Sequence, residues 1–493
     1  MNRGLRQAEL QRVLEKVKVH GKMEERTMRK FMNIFAAALI MLAAASCEKN
    51  EVLPDSTEGK VVTLSATIDN GGTKTSLGGW DDVNREYPVL WSKGDKIAVI
   101  QDDLNCDNDQ SVYTFTLSTG DNTTSATFTC DEAGDFDPNY EYRAVYPASA
   151  VVVGSDGKFE KYSFSDTQIY APNSFGVDAM PMETYKCKGA NCVLKFKKNV
   201  FGVLKLQLKS AADEKVTSIV VTSENALNGD AKLELGKIVL SGASDENKKV
   251  TLNCGADGGV ALNQDKATDF HIALPAGATG LKVLINTNNG SYYKEVPSQD
   301  ASSNLINAIT AGNILKMPEL NTTNMAPAYI ENGVYLGDGV ALPAEKDSEG
   351  NPTKYLIWAP VNCGYDAQKN TSADKYDGGY NPCPNGWKVP SQNDVGTLNI
   401  NNNAEILYSG GTPVGLKVFG DVSLPTENSK WIFLPADGQT SFSSQYWTST
   451  MSSYPEYYYL DLNIYDGSEG WTYTLAHHDE SRIRQMYIRC VKR

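Results

Sequence analysis

Histidine is nearly missing from this chain of 493 residues, which has only four. With so few imidazoles, a histidine-built metal centre or acid–base pair has little to draw on. A G-x-S-x-G elbow, a cysteine–histidine pair in local context and a phosphate-binding glycine loop are all absent, so the usual signatures of nucleophilic hydrolases and nucleotide binders are excluded. Long helical stripes are lacking as well, which argues against a bundle. No short-period repeat is visible, which argues against solenoids and propellers. Positive charge is in deficit: the formal net charge is −14, and removing the net +5 of residues 1–46 leaves about −19. Such a surface repels nucleic acid and phospholipid headgroups, so no nucleic-acid partner is expected.

One long apolar run is present. Met28-Arg29-Lys30 leads into Phe31 to Ala45, which ends in small residues before Cys47. Charge, run and small residues in that order read as an export signal, too short to span a bilayer. Residues 1–46 are therefore a signal region, with initiation expected at Met28. Cys47 sits where a bacterial lipobox places its acylated residue, although Ala44 replaces the usual Leu. A lipidated tether, residues 47–60, would hold the protein to the membrane by acyl chains.

Nine cysteines, at 47, 106, 130, 187, 192, 254, 363, 383 and 490, are compatible with disulfides after export, but their spacing does not reveal the connectivity. Cys187 and Cys192 lack a second close pair, so zinc is not expected. Nor is any other metal or cofactor: the acidic stretch Asp102 to Asp109 lacks calcium-loop spacing.

At this length about three domains are expected. Val62, Leu64, Ala66 and Ile68 alternate with polar residues, as do Tyr113-Phe115-Leu117 and Leu204-Leu206-Leu208, and Asn289-Gly290 reads as a hairpin turn. Short strands rich in turns predict antiparallel sandwiches from residue 61 to about 320. Leu320 to Gly333 is polar and aperiodic and reads as a linker. Beyond it the texture changes, with more Trp, Tyr and Pro.

Several pieces of the first part resemble the fimbrillin family of surface lipoproteins. They are TKTSL (Thr73 to Leu77), LWSKGDKIAVI (Leu90 to Ile100), AVYP (Ala144 to Pro147), NSFGVDAMPM (Asn173 to Met182), FGVLKLQLKS (Phe201 to Ser210) and ALNGDAKLEL (Ala226 to Leu235). The resemblance implies two transthyretin-like β-sandwich domains, 61–190 and 191–320, and a role in a surface fibre. It also implies donor-strand exchange with other fimbrial subunits: proteolysis after a basic residue removes the first strand, and a neighbour supplies a replacement. Val61 to Ile68 is the candidate removable strand, with Lys74 or Arg85 as the cut site. Both residues read equally well as solvated loop positions. Within WSKGDKI, Gly94 suits a turn, Asp95 suits a local backbone hydrogen bond, and Trp91 suits the core.

The last part resembles a second family, the Fibrobacter succinogenes major paralogous domain. The matching pieces are YLIWAPVNCGY (Tyr355 to Tyr365), CPNGWKVPS (Cys383 to Ser391), FLPADG (Phe433 to Gly438), YWTST (Tyr446 to Thr450) and YIRCVK (Tyr487 to Lys492), with Val395 where that family more often has Trp. After the 321–333 linker, this implies a C-type-lectin-like α+β domain over 334–493 in a mainly β chain. It also implies a Cys383–Cys490 bridge, which the chain-entropy model values at about 4–5 kcal/mol. Ser391 and Asp394 approximate a capping box, with Trp387 as a core residue. The calcium-binding triplets of such lectins are absent. CPNGWKVPS is distantly similar to formylglycine-generating enzymes, whose catalytic cysteine pair cannot be placed here, so no catalytic residue is assigned.

Trp471 and Tyr473 are candidate ligand platforms or, alternatively, core residues. His477, His478 and Asp479 are candidate ligand contacts, although adjacent strand residues face opposite ways and an exposed loop is the competing reading. The expectation is a non-enzymatic adhesin on the cell outer membrane, a fimbrial tip or accessory subunit whose head binds a glycan or protein ligand. A tail built into a folded module would leave no strand to donate. The alternatives are a non-polymerising glycan-binding lipoprotein and an enzyme on the lectin-like fold.

Overall fold

In the computed structural model the described residues are 61–68, 76–77, 89–102, 110–197, 200–234, 237–242, 244–255, 258–299, 307–363, 365–366, 371–372, 382–398, 400, 403–409, 412–420, 429–435, 443–453, 456–464, 471–478 and 487–492. Among them the chain is mainly β, as expected. The expected alternation holds in Val62–Ile68, where Leu64, Ala66 and Ile68 are buried. This strand closes a barrel that runs Val62–Ile68, Val193–Lys197, Met182–Thr184, Tyr142–Tyr146, Lys96–Asp102, Gln110–Thr119, Ser125–Cys130 and back to the first.

Trp91 fills the barrel core, meeting Phe128, Tyr146 and Phe196 edge-on at centroid distances of 4.9, 5.7 and 5.2 Å. Its position is set by the turn that follows. Gly94 takes a φ of 91°, where a side chain would be strained. Asp95 accepts a hydrogen bond from the Ser92 N–H at 2.7 Å and another from the Tyr146 hydroxyl at 3.0 Å. The turn and the core are thus coupled through one carboxylate.

The first two bodies do not meet at a single cut near residue 190. Val193–Lys197 still belongs to the barrel, whereas Phe159–Phe164 has already left it to pair with Gly229–Glu234, and Thr167–Ile169 runs parallel to Lys249–Asn253. Barrel residues Ala98, Ile100 and Val145 consequently share a core with Tyr162, Phe164, Phe201 and Ala273. Ile97 to Ile100 is an unbroken apolar run because both faces of that strand are buried.

The second body is a sandwich. An eight-stranded sheet faces the four-stranded sheet built on Phe201–Lys209, and Leu204, Leu206 and Leu208 of one pack with Ile219, Val221 and Ile285 of the other. The predicted hairpin joins Lys282–Thr287 to Gly290–Glu295. Its last paired residues are Thr287 and Gly290, so Asn288 and Asn289 form the tip, one residue earlier than the expected turn.

The segment expected to be a linker is ordered. Leu320–Asn321 runs parallel to Leu208 and Lys209, while Pro327–Glu331 continues the eight-stranded sheet beside Ser291 and Tyr292. Pro327, lacking an N–H, stands at the start of its strand, where a missing donor is tolerated. Tyr329, fully buried, meets Trp387 edge-on at 5.2 Å, and its hydroxyl lies 3.5 Å from the Cys490 sulfur. One strand therefore serves the sandwich sheet and the next core together.

The third body contains a four-stranded sheet of Val340–Lys346, Pro352–Trp358, Val491–Lys492 and Trp387–Lys388. Two three-stranded sheets accompany it, one from Ala404–Ser409, Thr412–Val418 and Ile432–Pro435, the other from Ser443–Ser453, Glu456–Ile464 and Trp471–His478. Gln392–Gly396 is a short helix whose start carries the expected reciprocal cap: the Ser391 side chain accepts from the Asp394 N–H, and the Asp394 carboxylate accepts from the Ser391 N–H. Val395, despite replacing the more usual Trp, is buried in the core.

Candidate functional site

The Val62–Ile68 strand is the first candidate, because both of its edges are used. On one side it pairs antiparallel with Ser125–Cys130, from Val62 opposite Cys130 to Thr67 opposite Ser125. On the other it pairs parallel with Val193–Lys197, from Ser65 opposite Val193 to Ile68 opposite Phe196. Its inward side chains, Leu64, Ala66 and Ile68, sit in the Trp91 core. Removing it would leave a slot with hydrogen-bonding edges on both sides and an apolar floor, which suits any extended segment with apolar residues at every second position. Refilling the Leu64 and Ile68 sites alone is worth about 1.5–3 kcal/mol per side chain. Lys74 and Arg85 lie outside the described residues, as does Cys47. Ser76–Leu77, between Lys74 and Arg85 in sequence, pairs with Val89–Leu90.

The second candidate region is the third body. Cys383 and Cys490 are bonded, with Cα atoms 6.0 Å apart across a sequence separation of 107. Cys187 and Cys192 form a second disulfide, which the sequence reading left unassigned. The turn between them bends at Gly189, whose φ is 94°, and a glycine between two cysteines five residues apart was the available signal.

The Cys383–Cys490 bridge joins a densely tied region. Trp387 is buried, and its indole N–H donates to the Ala328 carbonyl at 3.4 Å. Arg489 is buried too, donating to the carbonyls of Ala359 and Phe433, and burial pushes its guanidinium down to about 10. Lys492 donates to the Asn289 carbonyl at the sandwich hairpin tip. Residues 488–492 are thus built into the module.

The residues expected to touch a ligand fall on the Trp471–His478 strand, except Asp479, which lies outside the described residues. Trp471 pairs with Ile464, Tyr473 with Leu462 and His477 with Tyr458. These positions share the face that carries Leu460 and Leu462, both buried in the main core of the module. His478 pairs with Tyr457 and so occupies the opposite face, as adjacent strand residues must. The register therefore separates the two histidine positions. Among the described residues, no cluster of three or more His, Cys, Asp or Glu side chains is arranged to hold a metal.

No protein-family model matches the chain, and no curated protein matches it. Three solved structures are similar to it, from Bacteroides ovatus, Bacteroides fragilis and Bacteroides uniformis, each carrying a provisional name as a cell adhesion protein. Their identities are 15%, 13% and 16%, and their TM-scores 0.34, 0.31 and 0.31. They cover 55%, 55% and 56% of this chain and 96%, 95% and 98% of their own. At these scores the likeness carries neither a fold nor a role to this chain.

Proposed function

We propose that the protein is a non-catalytic cell-surface adhesin that joins a fibre by accepting a strand, with its third module as the ligand-binding head and Cys47 as the lipid anchor of the precursor. The observation that supports this most is the placement of Val62–Ile68, paired on both edges and buried on one face. Cutting the chain at Lys74 or Arg85 would convert that strand from a covalent part of the barrel into an exchangeable one. An incoming β-segment from another fimbrial subunit would then recover the same backbone pairing and core contacts.

Donation is a different matter. Residues 488–492 are held by a disulfide, by Arg489 and by sheet pairing, so this stretch is not available to a neighbour. On this reading the protein takes a tip or accessory position in the fibre. The experiment is to isolate the protein from cells with intact surface fibres and to sequence its N-terminus. Cleavage after Lys74 or Arg85 and gold-labelled antibody at fibre ends are expected. A full-length lipidated chain that never co-purifies with fibre subunits would replace this reading with that of a non-polymerising lipoprotein.

A further inference from the structure

We infer that the outer face of the Ala404–Ser409, Thr412–Val418 and Ile432–Pro435 sheet is a binding platform for a neutral saccharide. The two faces of this sheet differ sharply. Leu416, Val418, Ile432 and Leu434 point into the main core of the module and are buried. The opposite face carries Glu405, Lys417 and Phe433 in one row across the three strands, because Glu405 pairs with Lys417 and Lys417 with Phe433. Trp431 flanks this row, while Phe419, one residue past the end of its strand, is buried beneath it.

Trp431 leaves 42% of its surface in water, an unusual position for so large an apolar group. The Lys417 ammonium lies 4.7 Å from the Phe419 ring centre and 5.2 Å from the Trp431 ring centre, and 3.9 Å from the exposed Glu405 carboxylate. Gly415 makes room for Phe433: a Cβ there would stand 2.5 Å from the phenyl ring. The buried Arg489 holds the Phe433 carbonyl from behind. The rings this face offers are thus the exposed Trp431 and the half-buried Phe433, with Lys417 half-buried between them and the exposed Glu405 carboxylate at the border.

A pyranose presents a flat C–H face and a rim of hydroxyls that both donate and accept. Aromatic rings match the first, and an ammonium donor next to a carboxylate acceptor matches the second. Size favours the same occupant. Three strands span about 10 Å, a footprint on the order of 100 Å², whereas a stable protein partner needs about 800 Å² per side. Charge favours it also, since one cation and one anion leave the patch neutral, and the acidic chain as a whole repels anionic polymers. The inference rests on the adhesin reading of the third module but not on strand exchange.

The test uses the full chain with maltohexaose, cellohexaose and xylohexaose as neutral probes and polygalacturonate and heparin as acidic ones, read by titration calorimetry. At least one neutral hexaose is expected to bind at millimolar concentration or better, and Trp431→Ala to weaken it about tenfold without lowering the thermal midpoint. The doubly substituted Glu405→Gln, Lys417→Met chain, which keeps every ring, should lose affinity with it. Binding of none of the neutral probes, preferential binding of the acidic ones, or equal affinity in both variants would overturn the assignment. Strand capture by the cleaved barrel should be untouched in Trp431→Ala. A chain that binds sugar through Trp431 yet captures no strand would keep this inference and discard the fibre reading.

Discussion

The Val62–Ile68 strand and the Val491–Lys492 strand each complete a sheet, yet they are secured by different means. The first is held by backbone pairing and by three buried apolar side chains. The second is two residues long and follows Cys490, which is bridged to Cys383, and Arg489, which is buried. On the proposed reading, non-covalent holding over a longer strand would allow exchange once the chain is cut after it, whereas a short strand behind a disulfide would not be exchanged. That contrast is the structural basis for treating the protein as an acceptor of strands.

The contrast is broken most strongly by removing the covalent tie. With both Cys383 and Cys490 replaced by Ser, the third module should lose about 4–5 kcal/mol, the loop-closure value for a bridge of this span. Faster hydrogen exchange at Trp387 and Val491, with the barrel strands unchanged, is the expected readout. Loosening the other strand is the converse test. Leu64→Ala should cost about 2–5 kcal/mol in urea unfolding of the barrel and leave the disulfide-tied module intact.

Much of this contrast was legible in the sequence, and most of the failures have a common cause. The alternation of Leu64, Ala66 and Ile68, the turn at Gly94 and Asp95, and the Ser391–Asp394 cap are local patterns that tertiary contacts left in place. Where a segment is apolar on both faces, periodicity vanishes. Ile97 to Ile100 hid the shared core, and Trp431 to Leu434 hid the division between a core face and an exposed aromatic one. The ordered stretch read as a linker is a different failure: Pro327–Glu331 pairs with Val334–Asp338 across the Asn332-Gly333 turn, a local signal left unread, and on its other edge with Ser291 and Tyr292 far away in sequence. The register that sets Trp471 and Tyr473 opposite Ile464 and Leu462 is likewise a property of the paired sheet, not of the strand alone.

A smaller effect sharpens the comparison by pH. His271 is buried in the sandwich, and burial, with Lys205 nearby, pushes its imidazole down to about 4 while Asp269 opposes the shift. The folded state then binds fewer protons than the unfolded one between that value and the ordinary 6.5, so stability falls as pH drops through this window. The loss should total about 2–4 kcal/mol. His271→Gln should flatten the dependence of the sandwich transition, with the third module unaffected. The smallest change expected is Ser391→Ala, which removes one half of the reciprocal cap and should cost about 0.5–2 kcal/mol, measured as a shift in the third module's midpoint.

The most direct measurement is strand capture by the cleaved barrel. The full chain, cut by limited trypsin treatment at Lys74 or Arg85, is incubated with a labelled peptide copying residues 61–68, and bound label is followed by native mass spectrometry. Uptake of the peptide one-for-one with release of the original strand, and none by the uncut chain, is the predicted result. A cut barrel that keeps its own strand indefinitely, or that collapses without taking up the peptide, would contradict the account.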